Sequence, residues 1–99
     1  MRQKGRPEKI RLVKEEPKIG QFSPRGRPGR PNEIEVTIDQ FEALRLVDYR
    51  GLKHRHAAAQ MGVSRQTLER IIKQARKQVS DAIINGKIIR IFGGNIKVK

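Results

Sequence analysis

The sequence predicts a small, mainly α fold: a three-helix helix-turn-helix domain with a short C-terminal β-hairpin and a basic, partly disordered N-terminal arm. Apolar residues recur in steps of three and four from residue 38 onward, the period of helices that share a core. Between His54 and Lys73, a small residue, a glycine and a capping serine stand at helix-turn-helix spacing. After Gly86 the pattern changes to that of strands. The 99 residues therefore divide into an arm (1–32), a helix-turn-helix domain (33–86) and a hairpin (87–99).

Residues 1–32 form the predicted arm. They carry ten basic and three acidic residues, all five prolines and few large apolar side chains. Such a segment buries too little apolar surface to offset the entropy of ordering it. Within it, residues 24–28, Pro-Arg-Gly-Arg-Pro, resemble an AT-hook core, whose arginines lie along a narrow A·T minor groove. Arg25, Arg27 and Arg30 are therefore candidate DNA contacts, and a basic linker that touches only phosphates is the alternative.

The first helix is predicted over residues 38–49. Thr37 is a suitable N-cap, and Gln40 three residues later completes a capping box. Gly51 ends the region. Ahead of it, residues 33–36 alternate glutamate with isoleucine and valine, which predicts a short extended stretch.

The second and third helices form the predicted helix-turn-helix. The second runs from about 53 to 61 and ends at Gly62 in a left-handed conformation that glycine adopts at low cost. Ser64 then caps the third helix, which extends to about Ile84 unless it breaks near Ser80. Small or apolar residues are predicted to form the shared core: Ala58, Met61, Val63, Leu68 and Ile71.

Two short strands close the predicted fold. Residues 87–92, Lys-Ile-Ile-Arg-Ile-Phe, are rich in β-branched side chains, and residues 95–99 alternate apolar residues with lysines. The glycine pair 93–94 between them predicts a hairpin turn. An isolated hairpin is marginally stable, so it must pack on the helices, on residues 34–36 or on another subunit.

The third helix is a candidate recognition helix over about residues 64–77. Arginine suits guanine, glutamine suits adenine, and glutamate can accept from cytosine in the major groove. The outward-facing candidates for base contacts are Arg65, Gln66, Glu69, Arg70 and Lys73. Candidates for phosphate contacts are Ser64, Thr67, Arg76 and Lys77. The alternative is a solvated helix face with internal salt bridges, such as Glu69 with Lys73.

The composition favours some classes of partner and argues against catalysis, metal binding and membrane spanning. A net charge of +13, from 23 basic and 10 acidic residues, favours a polyanionic partner, with nucleic acid ahead of an anionic membrane. No apolar run is long enough to span a bilayer, and no secretory signal is evident, so the expected compartment is the cytoplasm, in association with the nucleoid. Neither a catalytic constellation nor a metal or cofactor site is expected, since there is no cysteine and His54 and His56 lack further ligands.

Two runs of the sequence resemble a known family. They are residues 37–48, Thr-Ile-Asp-Gln-Phe-Glu-Ala-Leu-Arg-Leu-Val-Asp, and residues 61–67, Met-Gly-Val-Ser-Arg-Gln-Thr. They resemble small prokaryotic proteins of unknown detailed function, for which DNA binding through a helix-turn-helix similar to sigma factor region four is predicted. The resemblance covers about residues 33–94 and implies transcriptional regulation. It departs at residues 53–56, where the family usually has a serine or threonine cap followed by acids. The family tends to have proline and glycine near residues 24–28, so an inherited turn is a rival to the AT-hook interpretation.

Double-stranded DNA is thus the expected partner, and several alternatives stay open. The charge equally permits an RNA-binding or ribosome-associated protein, although only three Phe and one Tyr are present for base stacking. A sigma-like module could instead bind RNA polymerase through the acidic first helix. A homodimer, with the hairpin as contact, is a further option. Removing residues 1–32 is expected to weaken DNA binding and to leave the fold intact.

Overall fold

The computed structural model describes residues 10–26, 29 and 31–99. It is about 47% helical and 18% strand, so the architecture is mixed rather than mainly α. The difference from the expectation arises because three strands pack beside the helices in addition to the two predicted C-terminal ones. Two of these three lie in the segment predicted as an arm.

The three predicted helical regions are confirmed. Helix α1 spans Ile38–Ala43 and continues without interruption into a π-helical segment, Leu44–Tyr49. Helix α2 spans His54–Met61, and α3 spans Arg65–Asn85 with no break at Ser80. The π-helical ending is visible in the backbone, because the Arg50 N–H donates to the carbonyl of Arg45, five residues earlier, at 2.9 Å.

Local capping chemistry explains the helix boundaries. The Thr37–Gln40 capping box is present, with the Thr37 N–H donating to Gln40 Oε1 at 3.0 Å. Ser64 caps α3 through its hydroxyl. Gly62 ends α2 at φ 68° in the left-handed region, as predicted. Lys53 is the N-cap residue of α2 and makes no side-chain capping hydrogen bond. This agrees with the sequence, in which residues 53–56 lack the serine or threonine cap of the family pattern.

Five short strands form two sheets. Strands β1 (Arg11–Val13) and β5 (Ile96–Val98) pair in parallel, and Leu12 lies opposite Lys97. The second sheet has the order β2-β4-β3. Its strands are β2 (Gln21–Phe22), β3 (Glu33–Val36) and β4 (Ile88–Ile91). Strand β4 is parallel to β3 and antiparallel to β2.

The predicted C-terminal hairpin is wrong. The two strands exist, but β4 pairs with β3 and β2, while β5 pairs with β1. The connection through Gly93 and Gly94 therefore passes from one sheet to the other. Pairing with earlier strands buries Ile91, an apolar burial that a free-standing hairpin would lack.

The predicted disorder of the arm is also wrong for its described part. Strands β1 and β2 lie within residues 10–26, Val13 is fully buried, and the Arg11 side chain is buried as well. Composition averaged over 32 residues conceals the run Ile-Arg-Leu-Val at 10–13, which is an ordinary strand. The expectation that the fold survives removal of residues 1–32 is therefore abandoned. Residues 1–9, and the candidates Arg27 and Arg30, lie outside the described residues.

The main core lies between the helices. Its largest fully buried side chains include Leu46, Met61, Leu68 and Ile72, joined by small residues such as Ala58. Of the predicted helix-turn-helix core, Ala58, Met61, Leu68 and Ile71 are buried, and Val63 is half-buried against them. Strand β1 packs on α1 and α2, and the second sheet packs on the C-terminal half of α3.

Candidate nucleic-acid interface

Packing and hydrogen bonds fix the turn between α2 and α3. Ala58 is buried where the two helices meet, and Gly62 supplies the left-handed turn. The Ser64 Oγ accepts the Thr67 N–H at 3.1 Å and donates to Thr67 Oγ1 at 3.0 Å. Both hydroxyls were predicted as phosphate contacts; here the Ser64 hydroxyl caps α3, and the Thr67 hydroxyl accepts hydrogen bonds from Ser64 and Arg70. The geometry presents the first half of α3 in a fixed orientation.

One row of exposed polar side chains runs along α3 opposite the core. We call it the outer stripe: Gln66, Arg70, Lys73 and Lys77, spaced by four, three and four residues. Within the described chain, none of its three cations forms an ion pair with a carboxylate. Arg70 donates a single hydrogen bond, to Thr67 Oγ1 at 3.3 Å. The stripe therefore presents positive charge that no described carboxylate pairs with.

A second row, on the flank of α3 that faces α2 and the π-helical segment, is ion-paired. Glu69 accepts from Arg65 Nε at 3.1 Å, and its carboxylate lies 3.3 Å from His54 Nδ1 in α2. The hydrogen bonds from His54 and then Arg65 lower the pKa of Glu69 below its usual value. The salt-bridge alternative is therefore realised for Glu69, with Arg65 one turn before it in place of the expected Lys73.

Arg76 completes this paired flank. Its guanidinium binds Asp48 of the π-helical segment in a bidentate geometry, at 3.0 Å and 2.7 Å. The hydrogen bond from Arg76 holds the pKa of Asp48 below its ordinary value. Arg76 was predicted as a phosphate contact, but in this structure it joins α3 to the first helical region. A phosphate would have to displace Asp48.

A polar cleft borders the opposite flank of α3. Its volume is about 270 Å³. It is lined by residues from β1, α1, α3 and the 93–95 turn, among them Arg11, Thr37, Gln40, Arg70, Gln74 and Asn95. Beneath it, Arg11 Nη1 lies 3.6 Å from Asp39 Oδ2, and both side chains are buried. Sequence patterning missed this cleft, because no local period connects residue 11, residue 39 and residue 95.

Of the predicted arm site, the structure describes only Arg25, and this residue lies away from the first turns of α3. Arg25 is exposed and follows Pro24, which lines a groove with Ile83 and Gly86 at the C-terminal end of α3. The structure therefore does not bring Arg25 together with the first turns of α3. Arg27 and Arg30 are not among the described residues.

The first helical region, residues 38–49, contains three acidic side chains. Asp39 and Glu42 are buried, and Asp48 is bound by Arg76. Binding to RNA polymerase through the acidic first helix stays a prediction. Among the described residues, no group of three or more potential ligands could hold a metal ion. In the same part of the chain, none of the helices combines the length and apolarity needed to cross a membrane.

Comparison with known proteins assigns the family. The family model described as "Protein of unknown function DUF134" matches residues 1–99. The chain belongs to this family. DUF134 membership confirms the resemblance to a family of small prokaryotic proteins of unknown function. DNA binding and likeness to sigma region four are not part of the DUF134 description.

The relatives come from archaea and bacteria. A UPF0251 protein of Methanococcus vannielii is 50% identical over 99 residues, covering 97% of this chain and 75% of its own length. A UPF0251 protein of Desulfosudis oleivorans is 48% identical, with 91% and 66% covered. A third, from Thermoanaerobacter pseudethanolicus, is 46% identical, with 94% and 80% covered. No solved structure matches this DUF134 chain.

Proposed function

We propose that this protein binds double-stranded DNA in a sequence-specific manner, with α3 in the major groove, and that it regulates transcription. The observation that carries the proposal is the outer stripe. It places one amide and three cations, none of them ion-paired within the described chain, on the exposed side of a helix preceded by a left-handed glycine turn. A major groove about 12 Å wide admits such a helix.

Residue chemistry supports distinct roles along α3. Arg70 and Gln66 lie in the first two turns, where recognition helices contact base edges. Arg70 suits guanine and Gln66 suits adenine. Lys73 and Lys77 lie further along and suit phosphates. Glu69 and Arg76 play structural roles in this proposal, because their charges are already used within the fold.

Selection of bound sequences from a random duplex pool is the first test. An enriched motif supports sequence-specific binding, and a palindromic motif supports a dimer that reads two half-sites. Structured RNA is included as a competitor, since the charge also permits an RNA partner. Retention of RNA in preference to the selected duplex, or no enrichment at all, would contradict the proposal.

Matched arginine variants then test the assignment on α3. Arg70→Ala should reduce discrimination between the selected and a scrambled duplex by about 1–3 kcal/mol. Arg76→Ala removes the same charge from the paired flank and should leave discrimination unchanged. Because it breaks a surface ion pair, it should cost only about 0–1 kcal/mol of stability. Equal losses of discrimination from both variants would argue against the outer stripe as the reading surface.

A further inference from the structure

We propose that two copies of this protein pair on DNA through an apolar patch at the C-terminal end of α3. The inference rests on the proposed DNA binding. It names a second partner, another copy of the same chain, and the surface that binds it. We call this surface the terminal patch, and it consists of five apolar side chains: Phe22, Pro24, Ile83, Ile84 and Ile89.

The terminal patch is exposed although its members are apolar. Ile83 and Ile84 are 72% and 78% exposed in the last turn of α3, and Phe22 of β2 is half exposed. Ile83 lines a groove of about 200 Å³ together with Phe22, Pro24 and Ile89. A single exposed isoleucine is ordinary, whereas two adjoining ones beside an apolar groove are typical of an interaction surface.

The shape of the terminal patch suits pairing with a second copy. Ile84 does not line the groove but protrudes beside it. In a contact with two-fold symmetry, the same patch of both copies meets, so the protrusion of each copy faces the groove of the other. The groove volume of about 200 Å³ exceeds the roughly 150 Å³ of a cavity that holds benzene. It therefore has room for one isoleucine side chain.

The charge distribution along α3 favours a like-charged partner at this end. Two chains of net charge +13 repel each other. Residues 65–77 contain five cations and one acid, whereas residues 78–85 contain one acid and no cation. Lys87, at the edge of the groove, is bound to Asp81 at 3.0 Å. Two copies can therefore bring these ends of α3 together without opposing the cations of the outer stripe.

The position of Ile84 matches the geometry of a duplex with two half-sites. Ile84 follows Lys77 by seven residues, as Lys77 follows Arg70, so it lies on the same side of α3 as the outer stripe. Arg70 precedes Ile84 by 14 residues, about 21 Å along the helix axis. A two-fold axis at Ile84 allows the two Arg70 side chains to lie up to about 42 Å apart. Inclined helices reduce this distance to the roughly 34–36 Å between half-sites one DNA turn apart.

The size of the terminal patch determines where pairing occurs. Standard protein interfaces use about 20–30 residues on each side, and the terminal patch has five apolar side chains. Adjacent half-sites hold two copies close together, at an effective concentration of about millimolar. We therefore expect a single copy in dilute solution and a pair on DNA, with two inverted half-sites in the selected motif, centred about 10 base pairs apart.

Cooperative binding to two half-sites tests the proposal. A gel-shift titration compares the duplex from the random-pool selection with one in which a half-site is scrambled. For the wild-type protein, the second copy should bind the two-site duplex at least tenfold more tightly than the first. Ile84→Gln, which changes no charge, should reduce this factor at least fivefold and leave affinity for a single half-site unchanged. The matched control Tyr49→Gln removes a side chain that is 86% exposed in the first helical region, and it should retain full cooperativity.

Cross-linking provides an independent measurement. The chain has no cysteine, so Ile84→Cys and Tyr49→Cys each introduce a single thiol. On the two-site duplex, a short bis-maleimide should join two Ile84→Cys copies at least fivefold more efficiently than two Tyr49→Cys copies. Scrambling one half-site should abolish this difference.

The outcomes separate this inference from the proposed function. A selected motif without an inverted repeat, cooperativity that is absent or that survives Ile84→Gln, or equal cross-linking from both positions would overturn the inference. Each of these results would leave sequence-specific DNA binding standing. A wild-type protein that binds no duplex would overturn both.

Discussion

The backbone at Gly94 lies close to the buried carboxylate of Asp39. Its φ of 99° lies in the region that glycine tolerates, and a Cβ there would be 2.7 Å from Asp39 Oδ1 and 3.2 Å from Thr37 Cβ. Gly93, at φ 77°, has open space where its Cβ would be. The crossing from β4 to β5 therefore requires glycine at 94 for two reasons and at 93 for one.

Alanine at each position separates the two reasons. Gly93→Ala should cost about 1 kcal/mol of unfolding free energy, because only the backbone conformation is strained. Gly94→Ala should cost about 1–3 kcal/mol more, because Asp39 and Thr37 must also move. Urea unfolding measures both values. Equal losses would show that the close approach to Asp39 carries no energetic weight.

Glu42 is a buried acid that the fold keeps ionised. Arg45 donates to its two oxygens at 2.8 Å and 3.0 Å, and the Lys14 N–H donates at 3.1 Å. Burial raises the pKa of Glu42, but the hydrogen bonds from Arg45 and Lys14 outweigh burial and bring it below the ordinary 4.5. A pKa lowered by folding contributes stability above the unfolded value, and this contribution is lost as the pH falls through the folded value.

Acid titration of stability tests this residue. The unfolding free energy should fall as the pH drops below about 4.5, in part because Glu42 takes up a proton. Glu42→Gln should be less stable by about 1–3 kcal/mol at neutral pH, and the difference should shrink in acid. The exposed Glu16→Gln controls for the loss of one carboxylate. A Glu42→Gln curve parallel to that of the parent protein at all pH values would refute the assignment.

At the scale of elements, the strand nearest the N-terminus behaves as part of the core. Val13 is fully buried in β1, which pairs with β5 and packs on α1 and α2. Arg11 is the ion-pair partner of the buried Asp39. Losing β1 would expose apolar core and leave a buried carboxylate without its cation, a change worth several kcal/mol.

Two truncations test the structural role of β1. Removing residues 1–9 should leave the thermal unfolding curve close to that of the full chain, because β1 stays intact. Removing residues 1–13 should lower the free energy of unfolding by about 5 kcal/mol or more, which is comparable to the whole stability of a small domain. Cooperative melting should therefore be abolished. Far-ultraviolet circular dichroism measures both. Cooperative melting that survives the longer deletion would contradict the role of β1.

At the scale of the whole molecule, charge is distributed along α3 in two ways. On the paired flank, Asp48 binds Arg76 and Glu69 binds Arg65 and His54. The cations of the outer stripe have no such carboxylate partner among the described residues. The outer stripe therefore contributes three exposed cations to the net charge of +13, and none of them is ion-paired within the described part of the chain. A surface of this kind binds phosphates by releasing condensed counterions.

Salt dependence is the corresponding prediction for the whole chain. If about five phosphates are neutralised, log K for duplex DNA should fall against log salt with a slope of about −4 to −5. Neutralising Arg70, Lys73 and Lys77 together, each as glutamine, should reduce the slope by about 2–3. Lys18→Gln, in the exposed loop between β1 and β2, is the control for general charge. Binding that barely changes with salt would exclude a phosphate-dominated interface.

Features that depend on neighbours within one or two turns follow directly from the amino-acid sequence. The Thr37 and Ser64 caps, the left-handed Gly62 and the apolar spacing of α3 are local, so the three helical regions and the exposed side of α3 were predictable. The π-helical ending of the first region had no recognised signal, because it differs from α-helix only in hydrogen-bond partners.

Pairing between distant parts of the chain depends on the folded arrangement as a whole. Strand β4 pairs with β3 and β2 and not with β5, and Asp48 binds Arg76, which lies 28 residues later in the sequence. Such choices depend on how much apolar surface and charge each arrangement buries, and local periodicity contains no information about that. For the same reason, the nine candidate residues at 64–77 came from the sequence, while their division into a capping pair, a paired flank and an outer stripe came from the fold.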